Sequence, residues 1–222
     1  MIRQMRIAII GQGYVGLTIS VGALSAGHEV VGVDLSDSLV AALKSGKSHI
    51  EGISDEDLAS GLKSGRYLPT TDYKDVIGCE IVVIAVPTPL DGKGGPNLSL
   101  LESAADSLSS ILSSRVLIIN ESTSHPGTLR EVIRPRIEGK TSHGHLYAIS
   151  PERVDPGNAK FGTRNTPRVV GGLTDEARDK AVEFYRTFCD NVVPVSSAEV
   201  AEAAKLLENT FKFINKIGRA HV

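Results

Sequence analysis

An apolar strand that runs straight into three spaced glycines admits few folds. Residues 7–20 read IAIIGQGYVGLTIS, with Gly11, Gly13 and Gly16 forming G-x-G-x-x-G between a strand ending at Ile10 and a helix opening near Tyr14. Each glycine has its own reason. Gly11 lets the chain turn sharply, Gly13 leaves room for a pyrophosphate against the backbone, and Gly16 lets the helix pack close to the strand. The helix N-terminus then presents free N–H groups and the positive end of its dipole to phosphates. The array alone is weak, since a plain tight turn also explains it. Its context is what narrows the reading. The next strand, VVGVD, ends on Asp34, where a carboxylate accepts from adenosine ribose hydroxyls and repels a 2′-phosphate. NAD is therefore expected over NADP. The alternative for Asp34 is a solvated acid at a strand end.

Strand and helix patterns alternate along the rest of the chain. Strands are expected at Arg6–Ile10, Glu29–Val33, Ile81–Val86, Arg115–Ile119, Leu146–Ile149, Arg168–Val170 and Asn191–Val195. Helices are expected at Val15–Ala26, Leu39–Lys44, Ser99–Leu112, Thr128–Ile137, Asp175–Phe188 and Ala198–Asn215. Gly27 sits where a left-handed helix C-cap is wanted, and Pro135 should end or kink its helix. The β-branched run at Ile81–Val86 reads as a strand covered on both faces, as in a parallel sheet. Repeated strand–helix–strand order predicts an α/β fold with a doubly wound parallel sheet, a Rossmann-type NAD-binding domain. The stretch Ser150–Pro167 is long for a compact domain, and loops of that size are usually functional or mobile.

Composition excludes several function classes. The net charge of −2 comes from interspersed acids and bases, so no basic face argues for nucleic acid and no polybasic run for a membrane surface. No apolar run approaches the roughly 20 residues that span a bilayer. The N-terminus runs directly into a strand pattern, so no signal peptide is expected and the location is read as cytoplasmic. Cys79 and Cys189 are far apart in sequence and lack metal-ligand spacing; they are expected to be free core thiols, and no metal is expected.

Ligands of open α/β sheets lie beyond the carboxyl ends of the strands. Three segments follow such ends: Pro87-Thr88-Pro89-Leu90-Asp91, then Asn120-Glu121-Ser122-Thr123-Ser124-His125-Pro126-Gly127, then Ser150-Pro151-Glu152-Arg153 onward. Thr88 and Thr123 could equally cap local turns, Glu152 could be an exposed loop acid, and His125 reads better as a turn or solvated residue than as a catalyst. In the last helix, Glu202, Lys205 and Asn209 share one face, which is either a functional stripe or a solvated one.

Taken together and in order, GQGYVGL, AVPTPLD, ESTSHPGT, SPERVDPGN and KLLEN resemble the UDP-glucose/GDP-mannose dehydrogenase family, over about Arg6 to Asn215. SPERVDPGN with NTPRVVGG and VVPVSS looks most like the branch acting on UDP-N-acetylglucosamine or its galacto epimer. The resemblance implies a two-step oxidation of the sugar C6 alcohol. One hydride passes to NAD⁺, a cysteine thiol captures the aldehyde as a thiohemiacetal, a second hydride follows, and water cleaves the thioester to a carboxylate. It further implies that Gly11, Gly13, Tyr14, Val15, Gly16 and Asp34 hold the cofactor, with Pro87, Thr88 and Thr123 at its nicotinamide half. Glu152 would orient or deprotonate the hydrolytic water, Lys205 would stabilise the alkoxide and tetrahedral oxyanion, and Asn209 would assist by hydrogen bonding. The loop after Glu152 would close over the UDP-sugar.

There are departures from the family pattern. Leu39 stands where many relatives carry a lysine or arginine on the adenosine side. The family's nucleophilic cysteine lies in a glycine-rich loop well past the lysine helix, and neither Cys79 nor Cys189 matches its motif. The resemblance therefore implies an N-terminal fragment. Residues 1–196 would form the NAD-binding domain and 197–216 the start of a central dimerisation helix, with 217–222, IGRAHV, a non-native tail resembling a translated sequencing adapter. The full-length parent would be a homodimer or higher homo-oligomer. Two other readings stand beside this one: a 3-hydroxyacid or 6-phosphogluconate type dehydrogenase, which would lack the SPERVDPGN loop, and an NAD-binding module without catalysis.

Overall fold

A computed structural model describes residues 3–92, 95–139, 143–153 and 164–219. Strand β1 (Arg6–Ile10) is followed by α1 (Tyr14–Ser25), β2 (Glu29–Val33), α2 (Asp37–Lys44), α3 (Asp55–Lys63), β3 (Tyr67–Thr70) and β4 (Ile81–Ile84). The second half runs α4 (Ser99–Ile111), β5 (Leu117–Asn120), α5 (Arg134–Glu138), β6 (Leu146–Ile149), β7 (Arg168–Gly172), α6 (Asp175–Arg186), β8 (Val192–Pro194) and α7 (Ala198–Arg219).

The strands form one sheet in the order β3-β2-β1-β4-β5-β6-β7-β8. All pairings are parallel except β6 with β7, where Ile149 faces Gly171. The chain builds outward from β1 to β3, then crosses to β4 on the other side of β1. That reversal leaves a crevice at the carboxyl ends of β1 and β4. Alternation along β1 divides the core between two layers. Ile7 and Ile9 pack with Leu17 of α1 and Phe184 of α6. Ala8 and Ile10 face the other way, into the layer holding Leu101, Leu108 and Ala201.

Two elements were not read from the sequence. β3 is an edge strand with Pro69 inside it, and proline removes a ladder donor, which hides such strands from pattern reading. α3 buries only Leu58 and Gly61, so its apolar stripe is too thin to register, although Ser54 and Asp57 close a full capping box. The expected helix over Thr128–Ile137 divides instead: a π-type turn at Leu129–Ile133 passes into α5, with Pro135 in its first turn. Proline cannot donate to the preceding turn, and a widened turn accommodates this. Gly27 has φ +93° and closes α1 as expected. α7 is longer than expected and continues through Ile217–Arg219. Most of the loop after Arg153, at 154–163, and the last residues, 220–222, lie outside the described residues.

Candidate functional site

Two of the three loop glycines are required by the protein's own packing. Gly11 has φ +90°, and a Cβ there would come within 2.6 Å of the Ala85 carbonyl oxygen. A Cβ on Gly16 would lie 1.8 Å from the Gly11 carbonyl oxygen. Gly13 differs, for nothing stands within 4 Å of its Cβ position. The room at Gly13 faces outward, where a ligand would approach. Gly13 is also the N-cap of α1, with no capping side-chain hydrogen bond and no acid in the helix's first turn. An uncapped helix start beside an open glycine suits a phosphate anion. Tyr14 and Val15 form that first turn and are half-buried.

The loop is braced by Gln12, a residue the sequence reading passed over. Its side chain is fully buried; Nε2 donates to the Ile9 carbonyl at 3.1 Å, and Oε1 accepts from Tyr67 Oη at 2.9 Å and Ser20 Oγ at 3.1 Å. Its backbone N–H donates to Asp34 Oδ2 at 2.8 Å, while Ser36 N donates to Oδ1 at 3.0 Å. The Asp34 carboxylate is thus tied to the glycine loop and held at the end of β2. Next to it opens a cleft of about 460 Å³ lined by Gly11, Asp34, Leu35, Tyr73, Pro87 and Leu100. Apolar walls with a fixed carboxylate at one edge fit an aromatic base joined to a ribose.

The ends of β4 and β5 are stitched together. Thr88 Oγ1 donates to the Thr123 carbonyl at 2.7 Å, and Ser122 Oγ donates to the Val86 carbonyl at 2.7 Å. These bonds bring Pro87, Thr88 and Thr123 to one place beyond the strand ends. His125 is exposed, and its carbonyl accepts from Thr128 Oγ1 at 2.7 Å, so it forms a turn as expected.

α7 is anchored to the same loops. Glu202 is buried, accepting from Gly127 N at 2.6 Å and Leu129 N at 3.0 Å. Burial pushes its carboxyl above the ordinary range, against the pull of these two amides. Of the stripe read from the sequence, Glu202 is therefore a buried anchor rather than a solvent-facing group. One turn on, the Lys205 ammonium donates to the backbone carbonyl of Glu152. Burial lowers the Lys205 pKa, while the charges of Glu208 and Glu152 pull it back up. Arg153 adds a second tie, its Nε 2.8 Å from Glu208 of α7. Asn209 lies a further turn along and is exposed. The Glu152 carboxylate is itself held, with Arg153 N donating to Oε1 at 2.6 Å and Arg168 Nη2 to Oε2 at 3.2 Å.

Neither thiol is presented as a nucleophile. Cys79 is buried on the amino-terminal side of β4, away from the strand-end crevice, and burial raises it to about 11. It lines a separate cleft of about 640 Å³ that contains none of the candidate residues. Cys189 is also buried, close enough to Arg168 to feel its charge, and burial raises its pKa.

Strand order, glycine loop and strand-end acid define a dinucleotide-binding domain of the dehydrogenase type. Residues 5–189 match the model of the UDP-glucose/GDP-mannose dehydrogenase family, NAD binding domain, and the chain belongs to that family. It is 35% identical over 215 residues to the UDP-N-acetyl-D-mannosamine dehydrogenase of Pyrococcus horikoshii, covering 95% of this chain and 51% of that one. The UDP-N-acetyl-D-glucosamine 6-dehydrogenase of Salmonella typhi is 32% identical, with 96% of this chain and 51% of that one covered. The solved structure of the Pyrococcus horikoshii protein superimposes with a TM-score of 0.88 at 34% identity, covering 95% of this chain and 51% of that one. GDP-mannose dehydrogenase of Pseudomonas aeruginosa gives 0.86 at 32%, covering 95% and 50%. The chain thus spans about half the length of the relatives it matches. A 3-hydroxyisobutyrate dehydrogenase of Mycobacterium tuberculosis, at 18% identity and a TM-score of 0.69, shares the fold alone. Among the described residues no helix is long and apolar enough to cross a membrane.

Proposed function

We propose that this chain is the cofactor-binding half of an enzyme that oxidises the C6 alcohol of a UDP-N-acetylhexosamine to the uronic acid. The observation that carries the reading is the contact of Lys205 with the Glu152 carbonyl. It brings the lysine of the last helix and the acid after β6 to one locus, beside the strand end that bears Thr123. NAD⁺, when bound, supplies the hydride acceptor.

The chain's own residues have distinct tasks in this reading. The outward-facing backbone at Gly13 and the start of α1, formed by Tyr14 and Val15, receive the pyrophosphate, with Gly11 and Gly16 shaping the turn. Asp34 accepts from the ribose hydroxyls. Pro87, Thr88 and Thr123 flank the nicotinamide side. Lys205 sits where a fixed ammonium would stabilise an alkoxide and then a tetrahedral oxyanion. A partly desolvated ammonium does this better than a hydrated one, because the local dielectric is low. Glu152 orients or deprotonates the water that releases the acid. Asn209 supplies an amide one turn further along the helix.

Relatives named for manno and gluco sugars support the UDP-N-acetylhexosamine class, and they add the manno epimer to the sugars considered. The test is a chimera joining this chain to the C-terminal half of the Pyrococcus horikoshii relative. It is assayed for NADH with UDP-N-acetylglucosamine, UDP-N-acetylgalactosamine and UDP-N-acetylmannosamine. Turnover on one of them, abolished by Lys205→Met, is expected. A chimera inert on all three but active on 3-hydroxyacids would overturn the reading.

A further inference from the structure

Beneath Glu152 lies a buried charge cluster that the cofactor and lysine assignments do not use. Arg168, the first residue of β7, is only 4% exposed. Its guanidinium is held on every side. Nη2 donates to Glu152 Oε2 at 3.2 Å, and Nη1 donates to Ser150 Oγ at 3.2 Å and to Glu121 Oε1. Its Cζ lies over the Tyr185 ring, 4.5 Å from the centroid. Tyr185 Oη donates to the same Glu121 oxygen. The five side chains come from three strand ends and from α6, so only the folded sheet brings them together.

We propose that Arg168 is a positioning residue for Glu152, fixing the orientation and the charge state of its carboxyl group, and that Glu121 and Tyr185 form the seat that fixes Arg168. The role of Glu152 in catalysis rests on the function proposed above; the coupling of Arg168 to Glu152 does not.

A stability role alone does not explain the cluster. Desolvating a guanidinium and a carboxylate costs several kcal/mol each, by order of magnitude, and a packed apolar replacement usually does as well. Perturbed charge clusters of this kind concentrate at functional sites. Here the cluster touches the carboxylate of the residue whose backbone carbonyl accepts from Lys205 of α7. The charge count points the same way. Two carboxyl groups share one guanidinium, and Glu121 Oε2 is buried with no hydrogen-bond partner among the described residues. Burial pushes Glu121 up to about 7, the Arg168 charge pulls it down, and the Glu152 charge raises it. Burial also works against the Arg168 charge, but Glu121 and Glu152 outweigh it and hold the guanidinium protonated. While Glu121 keeps its proton, the positive charge of Arg168 is directed at Glu152. Once Glu121 ionises, it competes for Arg168 and repels Glu152. The other groups facing the cluster are the Cys189 thiol, near Arg168, and Lys205 and Arg153, next to Glu152.

The experiment is a carboxyl titration by NMR on the whole chain labelled with ¹³C-glutamate. The two signals are assigned by their loss in Glu152→Gln and Glu121→Gln. In Arg168→Met, Glu152 is expected to titrate about one to three pH units higher, and Arg168→Lys should restore part of that shift. In Glu121→Gln, Glu152 should titrate nearly as before, because Glu121 still holds its proton where Glu152, facing Arg168, loses its own; in Glu152→Gln, Glu121 should titrate lower, because the ionised carboxylate that raises it is gone. In Tyr185→Phe, Glu121 should move up and Glu152 should not. An unchanged Glu152 titration in Arg168→Met would overturn the proposal. If Arg168→Met fails to fold, Arg168→Lys decides it: a Glu152 titration no higher than in the unsubstituted chain would overturn the proposal. Calorimetry of NAD⁺ on the unsubstituted chain separates the two readings: absence of binding sinks the cofactor assignment and leaves the titrations to judge Arg168.

Discussion

At the scale of single residues, two carboxylates make measurable claims. Asp34 is held by the backbone N–H groups of Gln12 and Ser36 and borders the apolar cleft. Asp34→Ala removes a charge-assisted acceptor, so NAD⁺ binding is expected to weaken by about 1.5–3 kcal/mol by calorimetry. NADP⁺ should bind the unsubstituted chain far more weakly than NAD⁺, and equal affinities would refute the assignment. Glu121 makes a claim about pH. Its folded value, about 7, lies above the ordinary 4.5 of the unfolded chain. Below 4.5 both states hold the proton; between 4.5 and about 7 the unfolded chain has lost it and the folded chain has not. The Glu121 contribution to stability therefore falls as pH rises through that window and levels off above it. His28, lowered by burial, acts in the opposite sense, but it is common to both proteins when the chain is compared with Glu121→Gln. The stability difference between them, from denaturant unfolding, should decline by at most about 1.4 kcal/mol per pH unit across the window. A flat difference would mean that Glu121 is not perturbed. The place of Asp34 at the end of β2, beside the glycine loop, was legible in the sequence because it follows from a local spacing. Glu121 and Arg168 were not, because their pairing joins positions 47 apart and no periodicity encodes it.

At the scale of elements, α7 decides how much of the site is assembled. Glu202 fastens the helix to Gly127 and Leu129, and Lys205 follows one turn later. Glu202→Leu leaves two buried amides without an acceptor, a loss of about 1–3 kcal/mol for each group left unsatisfied. Urea unfolding should report this, and NAD⁺ affinity should change little, because the glycine loop stands on β1 and α1. The opposite face of α7 is apolar and bare. Leu207, Phe211 and Ile214 are 74%, 68% and 62% exposed and share one stripe by helical spacing. Exposed apolar stripes promote association. Light scattering should show the chain self-associating with concentration, and replacing all three residues with serine should suppress this. No change on replacement would show that the stripe is inert. The sequence revealed α7 through strong 3.6-residue periodicity. It concealed β3, where Pro69 interrupts an edge strand, and α3, where little surface is buried.

At the scale of the whole molecule, one end of a mostly parallel sheet gathers the candidate residues. The glycine loop, Asp34, Thr88, Thr123 and Glu152 all follow the carboxyl ends of strands, and α7 brings Lys205 to them from the far end of the chain. The strand ends were readable as a set because topology alone places them on one face. The contact of Lys205 with the Glu152 carbonyl was not readable, since helix spacing does not say what a helix packs against; the family resemblance implied only that the two residues serve one reaction. The same arrangement limits what this chain does alone. Forming an acid from an aldehyde by way of a thioester needs a thiolate near Lys205 and Glu152. Cys79 is on the wrong side of the sheet, and Cys189 is buried; burial pushes both thiols away from ionisation at neutral pH. The 222-residue chain is therefore expected to bind NAD⁺ but to form no uronic acid from UDP-N-acetylglucosamine. Product analysis by mass spectrometry, run beside the chimera with the Pyrococcus horikoshii half, checks this. Uronate from the short chain at the chimera's rate would show that a thiol of its own serves. Cys189→Ser and Cys79→Ser would then identify it, with Cys189 the first to test because it lies beside Arg168.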